Sequence, residues 1–91
     1  MILKISEFGK SVGTRGLAKE MRKQIESAAK NGEKVIIDFT DVDIISNAFA
    51  DELIGVFIRH NGVDKLKAIC KFKGTNTEVK AVLTQVIYSN I

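Results

Sequence analysis

The sequence predicts an α/β domain in the order β-α-β-α-β-α, with a mostly parallel or mixed sheet packed with three helices. Two observations carry this expectation. The run Val35-Ile36-Ile37 is short, β-branched and free of charge, as in a strand at the centre of a sheet. Three stretches place apolar residues at helical spacing, and each follows a strand-like segment. Such alternation implies right-handed crossovers and at least two parallel strand pairs.

In chain order, residues 2–8 (ILKISEF) set Leu3 and Ile5 against Lys4 and Ser6, the two-residue period of a half-buried strand at or near a sheet edge. After the segment Gly9 to Gly13, Thr14 is placed to cap a first helix. Its inner stripe is Leu17, Met21, Ile25 and Ala28, with Lys19, Arg22, Lys23 and Lys30 facing away. Asn31-Gly32 ends it. A second helix over 47–60 presents Phe49, Leu53, Val56 and Phe57 on one side, carries Asp51 and Glu52 in its first turns, and closes at Asn61-Gly62. From Leu66 to Phe72 apolar residues alternate with Lys67, Ile69 and Lys71, which reads as a third strand with one wet face and hence a partly open sheet. Thr75-Asn76-Thr77-Glu78 forms a capping box, and Val79, Val82, Leu83, Val86 and Ile87 complete a third helix.

Ninety-one residues allow one core, so a single domain spanning 1–91 is expected. No apolar run approaches the ~20 residues that cross a bilayer, and MILKISEFGK lacks the features of a signal peptide. A cytoplasmic protein, monomer or homodimer, is the expectation. One cysteine, Cys70, excludes an internal disulfide, and with one histidine, His60, it gives no zinc spacing. The net charge of +3 conceals a division. Residues 1–34 hold eight Lys/Arg against four acids and 59–91 hold six against two, whereas 35–58 hold five acids and no Lys or Arg. The basic protein therefore contains an acidic middle, suited to basic partners.

Candidate chemistry is sparse. Asp38, Asp41 and Asp43 follow a strand closely, as carboxylates that hold Mg²⁺ or accept a phosphoryl group do, but Asp41 and Asp43 read as ordinary turn acids, and the chain lacks the five strand-helix units of a phosphoryl-accepting receiver. Ser46 or Asn47 can cap the second helix, and Ser46 is a candidate phosphorylation site where free N–H groups and the helix dipole favour a phosphate. Thr14 and Arg15, between Gly13 and Gly16, form a candidate anion site beside the plainer reading of a capped turn. Cys70 reads as a buried small hydrophobe and His60 as a helix-end residue. No catalytic set, metal site or cofactor is expected. Lys65, Lys67, Lys71 and Lys73 make a basic strip around the third strand, either a phosphate-binding surface or an edge guard.

The string VIIDFTDVDIISNAFADEL at 35–53 resembles the signature of the STAS-like proteins of unassigned function, small bacterial and phage-associated relatives of the sulphate-transporter and anti-sigma-factor-antagonist domain. GTRGLAKEMR at 13–22 and GTNTEVKAVLTQVI at 74–87 resemble the family's first helix start and closing helix. The resemblance implies a STAS-like fold whose second helix is a recognition element, as in antagonists that dock on a histidine-kinase-like ATPase. In those antagonists a strand is followed by Asp-Ser-Ser/Thr-Gly, whose second hydroxyl residue is phosphorylated to switch binding off. Laid over this chain, Ser46 falls at the aspartate, Asn47 at the first serine, Ala48 at the acceptor and Phe49 at the glycine. Ala48 has no hydroxyl to modify. The expectation is therefore a non-enzymatic regulatory module that presents Asp41, Asp43, Ser46, Asn47, Asp51 and Glu52 to an ATPase or kinase-like protein partner. A small nucleic-acid-binding regulator using the lysine strip is the alternative.

Overall fold

A computed structural model describes the backbone of residues 1–91 and the side chains of all but Ser11 and Val12. Three strands, β1 (Ile2–Lys4), β3 (Val35–Asp38) and β5 (Cys70–Lys73), form a sheet in the order β1-β3-β5 with every pair parallel. Val35-Ile36-Ile37 thus lies in the central strand, as its unbroken apolar character requires. A second, two-stranded parallel pair joins β2 (Ser11–Val12) to β4 (Ile44–Ile45).

The helices bury most of the expected inner residues, with Leu17 and Val56 only half-buried, and depart from expectation in two further ways. Helix α1 (Arg15–Lys30) starts at the Thr14 cap, whose hydroxyl accepts from the Leu17 N–H at 3.4 Å, and ends at Asn31. Residues 47–61 are continuous helix, but with a π-helical turn, Asp51–Gly55, between α2 (Asn47–Ala50) and α3 (Val56–Asn61). Helix α5 (Thr77–Ser89) buries Val79, Leu83 and Val86. Its cap is Asn76 rather than Thr75: the Asn76 side-chain oxygen accepts from the Val79 N–H at 2.8 Å. With α4, described next, this makes four helices.

Two segments differ from expectation. Residues 2–8 do not form one strand; β1 stops at Lys4 and Ile5–Phe8 coil into a 3₁₀ turn that keeps Ile5 buried. The expected third strand splits. Residues Val63–Ile69 form α4, and only Cys70–Lys73 are extended. Leu66 and Ile69, three apart, are both buried, so the helical spacing within DKLKAI prevails over the apparent two-residue alternation.

The two crossovers run in the same direction along the sheet, so right-handed connections lay α1 and the helix 47–61 on one face. The π turn sits at the middle of this layer, packed against α1, α3 and α5. Phe39, Phe49, Phe57, Ile25, Ile37, Met21 and Leu53 are fully buried between helices and sheet.

Candidate functional site

The acidic middle of the chain unfolds into a strand end, a loop and a helix start. At the end of β3 the Asp38 carboxylate accepts from the Thr40 N–H at 2.9 Å, an Asx-type turn that stops the strand. Hydrogen bonding by the Thr40 side chain first, and by that N–H second, holds its carboxyl below the usual aspartate range, with lesser help from Lys73 and Lys4, its register partners on either side. Asp41 then adopts a left-handed conformation with φ of 67°, which Asp tolerates better than most residues. Gly74, at the start of the loop after β5, lies so close that a Cβ there would stand 2.7 Å from the Thr40 backbone nitrogen.

The loop is pinned on two sides. Asn76 donates to the carbonyls of Val42 at 3.2 Å and Asp43 at 3.0 Å while its oxygen caps α5. From the other side, the Lys10 carbonyl accepts from the Asp43 N–H at 2.9 Å and the Ile44 N–H at 3.4 Å. Val42 is buried as the loop's anchor, whereas Asp41 and Asp43 are exposed and enter no ion pair among the described residues. Ile44 stands between Asp43 and the helix with 51 % of its surface exposed.

Ser46 caps the helix. Its hydroxyl accepts from the Phe49 N–H at 3.0 Å and donates to the Gly13 carbonyl at 2.9 Å, tying the helix start to the residue before the Thr14 cap. Asn47 is exposed at the first turn beside the half-buried Ala48. These two, with Arg15, Asp51, Gln85, Val86, Ser89 and Asn90, line an open cleft of about 280 Å³ between the helix start and the end of α5.

Asp51 and Glu52 face a different environment from the loop acids. Asp51 pairs with Arg15 at 2.9 Å and Arg59 at 3.2 Å, and Arg59 also donates to the Asn90 side-chain oxygen at 2.6 Å. The Arg59 and Arg15 bonds outweigh partial burial and keep the Asp51 carboxyl below its ordinary value. Glu52 pairs with Arg22, whose Nη1 also donates to the Glu52 carbonyl at 3.2 Å, and it approaches Arg15 at 3.6 Å. Side-chain exposure falls to 30 % at Asp51 and 17 % at Glu52. Both acids therefore bind the second helix to α1. Arg15, proposed with Thr14 as an anion site, is committed to these acids, and the Thr14 hydroxyl to its cap.

Arg22 was expected to face solvent, but it is 6 % exposed. Its guanidinium bridges Glu52 and, through Nε at 3.3 Å, Glu26. Glu26 also lies 3.1 Å from the His60 Nδ1 and accepts from the Asn61 amide at 3.0 Å. Burial works to raise its carboxyl, yet the three donors together hold it below the ordinary range. Arg22, Glu26, Arg59 and Asn76 are the residues that sequence reasoning passed over. For Asn76 a signal existed, since it is as good a cap as Thr75.

Cys70 is buried, and burial pushes its thiol up to about 11, far from a thiolate nucleophile. No group of three or more His, Cys, Asp or Glu among the described residues is arranged to hold a metal ion. No helix is long and apolar enough to cross a membrane. The lysine strip is divided, with Lys65 and Lys67 on α4 and Lys71 and Lys73 on the edge strand β5.

The fold and the strand-loop-helix at its centre define a STAS-like α/β domain. Comparison with protein families matches residues 18–80, more than half of the chain, to the STAS-like domain of unknown function (DUF4325), and the chain belongs to that family. Neither the comparison with curated proteins nor that with solved structures returns a match.

Proposed function

We propose that this protein is a non-enzymatic regulatory module that binds a protein partner, an ATPase or kinase-like regulator, through the loop 40–47 and the adjoining first turn of the second helix. The observation that carries the reading is the contrast between two pairs of acids. Asp51 and Glu52 are consumed by arginines within the fold, whereas Asp41 and Asp43 flank an exposed Ile44 on a loop anchored by Asn76 and Lys10. An apolar side chain rimmed by charge on a pre-ordered backbone has the composition of a small recognition surface, and binding through it has little ordering entropy to overcome. Ser46 and Asn47 border the same surface. The Ser46 hydroxyl donates to the Gly13 carbonyl, a bond that a phosphate ester would remove, and the switch known for the related antagonists is not part of this reading.

The test is affinity capture from the native host with the wild-type chain and an Asp43→Lys/Ile44→Lys variant whose circular dichroism matches wild type. A protein with an ATP-binding domain, retained by wild type and lost by the variant, is the expected result. Identical captured sets would overturn the assignment of this surface.

A further inference from the structure

The sheet is parallel throughout, yet one of its faces carries none of α1, the helix 47–61 or α5, and on it Ile2 is exposed while Ile36 is half-buried and Asp38 buried. Side chains alternate across a strand, and the register places Leu3, Ile37 and Phe72 in one row and Val35 beside Cys70, all toward the helices. The opposite face carries the rows Ile2-Ile36-Lys71 and Lys4-Asp38-Lys73. Ile2 is 61 % exposed, and Lys4, Lys71 and Lys73 are exposed beside it. Parallel sheets occur almost only where both faces are covered, and here α1, the helix 47–61 and α5 all pack together on the other side.

We propose that this face docks an acidic amphipathic helix of a partner protein. Dimensions agree: three strands about 4.8 Å apart span roughly 10 Å, the width of a single helix. The chemistry agrees as well. Ile2 and Ile36 form an apolar centre, and a hollow of about 300 Å³ at one end of it is lined by Lys34, Ile36, Lys67 and Lys71. Lys4 and Lys73 close the other end around Asp38, whose carboxylate is already bonded to the Thr40 N–H. Five lysines thus surround two isoleucines with one acid among them, and an apolar stripe flanked by Glu or Asp complements that arrangement. Guarding an edge strand does not account for it, because Lys34, Lys67 and Ile36 are not on the edge strand β5.

Other occupants fit less well. A nucleic acid would find lysines but no aromatic side chain to stack on, since Phe72 turns inward against Phe39 with ring centroids 6.3 Å apart. A second copy would have to offer an acidic helix, and the exposed side of α1 carries Lys19, Lys23 and Lys30 against Glu20. This surface lies across the sheet from the second helix and does not depend on the reading given above for the loop 40–47.

The test is a titration followed by backbone amide resonances, using a synthetic helical peptide of about 18 residues, long enough to be helical when bound, with leucines along one stripe and glutamates beside it. Its sequence-shuffled isomer and a single-stranded oligonucleotide serve as competing probes. The patterned peptide should shift the amides of Ile2, Lys4, Ile36, Lys71 and Lys73, and Lys71→Glu should weaken it by about tenfold. Ile2→Lys, at a side chain too exposed to matter for folding, should do the same. Equal binding of the shuffled peptide, stronger binding of the oligonucleotide to these amides, or no shift with any probe would each overturn the proposal. So would concentration-dependent shifts of the same amides without any probe, which would assign the face to a second copy.

Discussion

Asp51 and Glu52 lie beside each other in sequence with the loop acids only a few residues away, and only their partners distinguish them. Those partners come from α1 and α3, so the distinction is set by tertiary structure. The same holds for Arg22, which a helical wheel turns outward but which reaches Glu52, thirty residues on. Replacing Arg22 with Ala should cost about 2 to 3 kcal/mol in denaturant unfolding, because it strands a partly buried carboxylate; a change within a few tenths would mean the pair contributes nothing. Gly74 makes a sharper case. Its φ of +69° and the nearness of the Thr40 backbone leave no room for a Cβ. Gly74→Ala should lower stability by about 3 kcal/mol, combining the left-handed penalty with displacement of the loop. Thermal melting would register that as a drop of more than about 10 °C in a domain of this size.

At the scale of elements, the π turn shows what a stripe can disclose when its period is counted. Phe49, Leu53 and Phe57 repeat every four residues, as do Ala50, Ile54 and Ile58, and all six are buried. An α-helix drifts about 40° at each four-residue step, so two steps would carry the ends of these rows away from the core. The extra residue in the π turn takes up that drift and keeps both ends inward. The signal was present in the sequence, hidden under the ordinary expectation of a helix. By contrast, β2 and β4 are two residues each and leave no pattern to find, and α4 was concealed by an accidental alternation of lysines. The stripes of α1 and α5 and the central strand were legible because burial on one side imposes a regular period. The clamp on the π turn also predicts a pH response. Asp51 and Glu26 ionise more readily folded than unfolded, so their contribution is complete above their ordinary values of 3.8 and 4.5 and is lost as the pH falls below them. Denaturant midpoints measured from pH 7 down to 3 should fall in the acid range, and Asp51→Asn should lower the neutral value while flattening that fall. A slope unchanged by Asp51→Asn would detach Asp51 from the response.

The molecule as a whole has helices on one side of a narrow parallel sheet and an acidic loop, hydrogen-bonded to Asn76, at the carboxyl end of the central strand, where sites in such sheets gather. Composition located the acidic middle of the chain, and the strand-loop-helix order located its surface. Which acids stay available to a partner became visible only when the arginines of α1 and α3 were in place. The most direct measurement is amide hydrogen exchange on the chain alone and in complex with its captured partner. Protection on binding should centre on residues 40–48. Protection confined to α4 and the lysines of β5, with 40–48 unchanged, would contradict it.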